Sequence, residues 1–286
     1  MRTLLAVLAL TSIAYAYGVL SHEHRWWPTP QLERALRQGI WHARERRGFK
    51  DTTGRAEVPC ALFTQPDTAV LLTFGQSNAA NEGEQAYQPG DGVYNCNFFD
   101  GKCYAALDPL LGATGSGGSP WSRLGDKLIA AGVFKRVLIV PIAVGGSALR
   151  EWMPGGKHHA RILDAQRALT AHGLRVTHAL WHQGEADARH TTETEYVGGF
   201  QQILDAMRSA GIDAPVYVAV ASICQNTGSD AIRSAQREIA ATMENVHPGA
   251  DTDTLDRFVW RFDLCHFSAL GLDRHADLWL HALQAE

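Results

Sequence analysis

With 286 residues, the chain has room for one large α/β domain or two small ones. Forty-five per cent hydrophobic and 20% charged residues exclude wholesale disorder. A net charge of −4, from 26 basic and 30 acidic residues, lacks the basic excess of a nucleic-acid binder. Past the first twenty residues no apolar run reaches the length of a membrane span, so a polytopic membrane protein is excluded as well.

The N-terminus reads as an export element. Met1-Arg2 is a short positive region, Leu4–Ile13 an apolar stretch, and Ala14-Tyr15-Ala16 an A-x-A-like signal-peptidase site. The apolar stretch runs on through Leu20, and Trp26-Trp27 then suits a membrane–water interface. Residues 1–20 are therefore either a cleaved signal peptide or an N-terminal membrane anchor. The anchor is slightly favoured, although Arg25, Arg34, Arg37, Arg44, Arg46 and Arg47 would then lie on the exported side. Both readings place the remainder in the periplasm or another extracytoplasmic space. Residues 21–57 read as an Arg-rich helical stalk or arm, and residues 58–286 as the functional domain. An oxidising compartment permits disulfides. Cys96 and Cys103 flank an Asp100-Gly101 turn and are candidates to pair, as are Cys224 and Cys265, which leaves Cys60 over. Buried free thiols throughout are the alternative. No C-x-x-C pair points to structural zinc.

Within the domain, short apolar runs at 69–74, 136–143, 176–181, 215–222 and 257–262 have the length and composition of strands buried on both faces. Pro141 should end or bulge the second of them. Helical patterns fall between the runs at 121–131, 159–172, 193–210, 229–243 and 268–283, the third opening with a Thr192-x-x-Glu195 capping box. Alternation of this kind predicts an α/β fold: a three-layer α/β/α sandwich around a mainly five-stranded parallel sheet. The glycine-rich segment 111–120 reads as a flexible loop, without the Lys-Ser/Thr of a phosphate-binding loop.

Parallel sheets bind ligands at the carboxyl ends of their strands. The first run ends in Gly75-Gln76-Ser77-Asn78-Ala79, the second in Val144-Gly145-Gly146-Ser147 and the third in Trp181-His182-Gln183-Gly184-Glu185-Ala186-Asp187. The last ends in Asp263-Leu264-Cys265-His266. Together they supply a nucleophile, a base, an orienting carboxylate and donors for an oxyanion, which are the parts of acyl transfer. Singly each has a plain structural explanation; their joint placement at strand ends is what argues for catalysis.

These four blocks resemble the SGNH hydrolase superfamily, and within it the sialate O-acetylesterase and carbohydrate esterase family 6-like branch, over about residues 69–284. The resemblance implies a serine esterase that removes acetyl or other short acyl groups from a carbohydrate and uses neither metal nor other cofactor. It implies Ser77 as nucleophile, His266 as base and Asp263 as its partner. The oxyanion hole would combine the Ser77 N–H, a Gly145 or Gly146 N–H and the Gln183 side-chain amide. The chain carries Ala79-Ala80-Asn81 after the serine, where Met-Ala-Gly is common.

Further residues have weaker claims. Glu185 either orients Gln183 or His266 or is an exposed loop carboxylate. His182 and His190 lack metal-ligand spacing and read as solvated loop histidines. Trp121, Trp152 and Trp181 either stack on a sugar or pack in the core. Rival functions are a polysaccharide O-acyltransferase with the same triad, an inactive sugar-binding protein, and an α/β-hydrolase, whose acid and histidine normally come from separate loops.

Overall fold

The structure is a computed structural model and describes residues 2–23 and 50–285. Arg2–Glu23 forms one helix, α1. No helix among the described residues is long and apolar enough to cross a membrane. Most of the expected 21–57 stalk lies outside the described residues. Arg47–Glu286 is a compact unit of its own.

This unit is built on eight strands: β1 (Glu57–Val58), β2 (Thr68–Gly75), β3 (Val93–Asn97), β4 (Lys102–Ala105), β5 (Arg136–Pro141), β6 (His178–His182), β7 (Val216–Val220) and β8 (Val246–Asp251). They form one sheet in the order β1-β4-β3-β5-β2-β6-β7-β8. From β3 to β8 every pairing is parallel, while β4 and β1 add an antiparallel edge. Four of the expected strands are present, and β5 ends at Pro141 as the missing ladder donor requires. The expected strand at 257–262 is absent: those residues form turns and leave Phe258 and Val259 exposed. The last parallel strand is instead β8, Val-His-Pro-Gly-Ala-Asp. Its lack of an apolar run fits an edge position, where only one neighbour must be paired.

The helices follow the expected positions closely: α2 (Pro120–Ala130), α3 (His159–Thr170), α4 (Glu193–Ser209), α5 (Asp230–Thr242) and α6 (Ala269–Gln284). The Thr192–Glu195 capping box is formed. Side-chain alternation along β2 sorts the two cores. Val70, Leu72 and Phe74 face one layer with Ile162 of α3, Phe200 of α4 and Ile232 of α5. Ala69 and Leu71 face the other with Leu124 of α2 and Trp279 of α6. Trp121, Trp152 and Trp181 are fully buried, so none is a sugar platform.

Segment 111–120 is not a free loop. Asn81 and Gly115 pair through a backbone bridge, as do Gly83 and Gly118. A Cβ on Gly117 would sit 2.1 Å from the Gly83 carbonyl oxygen, which explains the glycine content as close packing.

The disulfides correct one pairing. Cys224 and Cys265 are bonded as expected, but Cys103 bonds Cys60 rather than Cys96. Cys96 and Cys103 do face each other across the β3–β4 ladder; Cys60, in the short turn after β1, is the partner that Cys103 takes. Cys96 remains a buried free thiol. Two disulfides suggest an oxidising, extracytoplasmic compartment.

Candidate active site

The parallel sheet changes winding direction at β2, which is flanked by β5 on one side and β6 on the other. The crevice beyond the carboxyl end of such a strand is where α/β folds bind ligands. Gly75 is the last residue of β2, at φ 125°, and a Cβ there would lie 2.0 Å from the His182 carbonyl oxygen. Only glycine lets β2 pass β6 this closely before the chain turns. The turn is a 3-10 segment, Ser77–Ala79, closed by Ala79 N–H to Gln76 O (2.9 Å) and Ala80 N–H to Ser77 O (3.0 Å). Ser77 is thus presented at the switch point.

Three segments enclose it. The segment after β5 is tied down by Val144 N–H to Gly75 O (3.0 Å) and by the Ser147 hydroxyl, which donates to Gly75 O (3.2 Å) and accepts from Trp152 Nε1. Gly145 N–H donates to Thr114 Oγ1 at 2.7 Å and is therefore spent. Gly146 adopts φ 69°, with open space where a Cβ would stand. Of the two expected glycine donors, Gly146 is the one without a competing partner among the described hydrogen bonds, as is the Ser77 N–H.

The segment after β6 holds Gln183, Glu185 and Asp187, all buried. Gln183 lies at the site, but its amide points inward. Nε2 is within bonding distance of Ser147 O (3.2 Å), Gln76 Oε1 (3.3 Å) and Asp187 Oδ2, and Oε1 accepts from the Tyr196 phenol (2.9 Å). Three acceptors already compete for its two N–H groups, which leaves none for an oxyanion in this arrangement. Gln183 is instead a tie between β2, the Gly146 segment and the W-x-Q-G-E-x-D block. Asp187, for which the sequence offered no role, completes that tie by also accepting from Leu149 N–H (2.8 Å) and Thr191 Oγ1 (2.7 Å).

Glu185 contacts neither Gln183 nor His266 through a described hydrogen bond; its Oε1 accepts from Asn78 Nδ2 at 2.8 Å. His182 is fully buried, not a solvated loop residue. The Thr252 hydroxyl donates to Val220 O (3.1 Å), so it accepts from His182 Nε2–H (2.9 Å). Burial also holds the His182 pKa below its ordinary value.

The third segment leads from β8 back across the carboxyl ends of β7 and β6. Its Asp263 oxygen Oδ1 accepts from the N–H groups of Cys265 (3.0 Å) and His266 (2.7 Å), while Oδ2 accepts from His266 Nδ1–H (2.8 Å). Leu264, at φ 68°, makes the tight turn that allows a side chain three positions ahead to be reached. Arg261, 1% exposed, braces the segment from beneath. It donates to the carbonyls of Leu255 (2.7 Å), Ile223 (3.1 Å), Thr252 (3.0 Å) and Cys265 (2.6 Å). An arginine in an aromatic-flanked Trp-Arg-Phe run carries no sequence signal for this work, and its role was not foreseen.

Asn78 Nδ2 also donates to Cys265 O at 3.2 Å. The residue after Ser77 is therefore bonded to the residue before His266, which brings the serine turn and the Asp263–His266 pair together. Among the described residues no cluster of His, Cys, Asp or Glu could hold a metal ion.

Comparison with known proteins agrees with this architecture. Residues 67–271 match the family model of the carbohydrate esterases described as sialic acid-specific acetylesterases. No match emerges among curated protein sequences. Among solved structures, a protein from Arabidopsis thaliana superposes with a TM-score of 0.60 at 18% identity, covering 77% of this chain and 98% of its own. NanS superposes with a TM-score of 0.54 at 17% identity, covering 76% and 96%. A GDSL lipase-like protein from Parabacteroides merdae gives 0.51 at 14% identity, covering 76% and 96%. At these identities the structures establish a shared α/β fold. The matched family model spans well over half of the sequence, and the chain belongs to the sialic acid-specific acetylesterase family of carbohydrate esterases.

Proposed function

We propose that the protein is a serine esterase that hydrolyses acetyl or other short acyl esters on a carbohydrate, by way of an acyl-enzyme on Ser77. One observation carries the reading: His266 Nδ1–H is held by Asp263, whose other oxygen is fixed by two backbone N–H groups. Pinning that tautomer leaves Nε2 with its lone pair, the form in which imidazole acts as a general base. His266 takes the Ser77 proton as the hydroxyl attacks the ester carbonyl, and Asp263 stabilises the resulting imidazolium. The developing oxyanion is received by the N–H groups of Ser77 and Gly146. Imidazolium then protonates the leaving sugar oxygen. A water activated by the same histidine releases the acid. No step calls for a cofactor.

The two disulfides agree with action outside the cytoplasm, and residues 1–20 serve as the export element on this reading. Acetate release from O-acetylated sugars, measured for wild type and Ser77→Ala, tests the assignment. Loss of a triad member removes most of the rate, roughly 10³-fold or more, while folding is kept. Wild-type turnover by Ser77→Ala would refute it.

A further inference from the structure

The buried carboxylate of Glu185 has no part in the chemistry just described, yet its environment is unusual. Its side chain is 1% exposed, its Oε2 has no hydrogen-bond partner among the described residues, and the nearest titratable nitrogen, His182 Nδ1, stands 4.0 Å away. That nitrogen has no hydrogen-bond partner among the described residues, while the other ring nitrogen meets the Thr252 hydroxyl. Glu185 is thus a buried carboxyl group whose Oε2 makes no hydrogen bond among the described residues, a costly arrangement unless it does something specific.

What it does touch is Asn78. The Asn78 amide has two N–H groups; one goes to Glu185 Oε1 (2.8 Å) and the other to Cys265 O (3.2 Å). Both partners are acceptors, so the orientation of the amide is unambiguous. Asn78 itself is 4% exposed. A single planar group therefore joins three segments: the turn bearing Ser77, the segment after β6, and the one bearing His266. A hydrogen bond to an ionised acceptor is shorter and about twice as strong as a neutral one. With one N–H on Glu185 Oε1, the rotation of the Asn78 amide is fixed so that its second N–H faces Cys265 O.

We infer that Glu185 is a positioning residue which, by gripping Asn78, keeps the Ser77 turn in register with His266. The inference rests on the esterase reading above. Serine attack needs near-attack geometry, and a misplacement of about 1 Å costs on the order of 10²-fold in rate. Glu185 should therefore act on turnover and not on substrate affinity.

The test is steady-state hydrolysis of p-nitrophenyl acetate by Glu185→Ala, Glu185→Gln, Asn78→Ser and Ser77→Ala, with melting curves to confirm folding. Glu185→Ala should lose about 10- to 100-fold in kcat with KM within about twofold. Glu185→Gln keeps an oxygen for Asn78 Nδ2 and should recover to within about threefold of wild type, since a neutral bond replaces a charge-assisted one. A kcat for Glu185→Ala at the wild-type level would overturn the inference. So would a Glu185→Gln enzyme as slow as Glu185→Ala, because the charge and not the hydrogen bond would then be responsible. If Glu185→Ala does not fold, Asn78→Ser reads the same contact: its kcat should fall at constant KM, and an unchanged kcat overturns the inference. Ser77→Ala reports separately on the hydrolase reading. Its loss of turnover upholds that reading whatever the Glu185 variants do, and its retention of turnover would overturn both.

Discussion

Cys224 and Cys265 close a loop of 41 residues in sequence separation and hold the segment that carries His266 against the end of β7. In the chain-entropy model a cross-link of this span destabilises the unfolded state by about 4 kcal/mol at 25 °C. For a unit of this size each kcal/mol moves the melting temperature by about 2–4 °C, so Cys224→Ala/Cys265→Ala should melt about 8–16 °C below wild type. Activity at 25 °C should fall far less, by about 2- to 10-fold, because the Cys265 carbonyl keeps its bonds from Arg261 (2.6 Å) and Asn78 (3.2 Å). Thermal melts by circular dichroism and ester hydrolysis at 25 °C separate the two effects. A melting shift under about 3 °C would refute the argument that this cross-link constrains the unfolded chain. Complete loss of activity in a folded variant would show that the hydrogen bonds to Cys265 do not hold the loop.

Four further outcomes are expected. Asp263→Asn should keep its hydrogen bonds to the backbone but free the wrong imidazole tautomer, lowering kcat by roughly 10²–10⁴-fold with little change in melting; near-wild-type kcat in hydrolysis assays would exclude Asp263 from the triad. Gly75→Ala, whose Cβ would meet the His182 carbonyl oxygen at 2.0 Å, should yield little folded protein, and a soluble variant melting like wild type would contradict the packing described. Burial pushes the Cys96 thiol up to about 12, so native protein should leave Ellman's reagent uncoloured at pH 8 while urea-unfolded, unreduced protein gives one thiol per chain. Burial also lowers the pKa of His158, to about 4, and of His182 and His275, below the ordinary 6.5. The unfolded chain then binds protons first as pH falls. The stability these neutral histidines contribute above pH 6.5 is lost on acidification, through the window from 6.5 to about 4 for His158, at up to about 1.4 kcal/mol per pH unit for each residue. A urea midpoint that does not fall between pH 7.5 and pH 5 would contradict this.

Much of the architecture was legible because period-2 and period-3.6 patterning dominate buried elements. Strands β2, β5, β6 and β7 are continuous apolar runs, and helices α2 to α6 differ from their expected bounds by at most two residues. What escaped lies where pairing is local or lies at an edge. β8, with Pro248 and Gly249, has no apolar run, and the 257–262 run that looked like a strand owes its apolar residues to exposed turns and to the phenylalanine beside His266. The β3–β4 hairpin was half visible, since the Asp100-Gly101 turn and the Cys96–Cys103 juxtaposition were foreseen but not the reach of Cys60. At the site, residue types indicated chemistry but not which hydrogen atoms were already committed. Gln183 and Gly145 are in place, yet Ser147 O, Asp187 and Thr114 claim their donors. Arg261 and Asp187 were missed because bracing carbonyl groups and tying loops leaves no spacing signature.

The central claim is that Ser77 is activated by His266 across segments nearly two hundred residues apart. Treatment with a fluorophosphonate, followed by peptide mass mapping of wild type and His266→Gln, addresses it in one experiment. The account predicts a single adduct on Ser77 in the wild type and, in the variant, labelling slower by roughly 10³-fold or more. An adduct on another serine, or labelling of Ser77 at an undiminished rate without the imidazole, would contradict it.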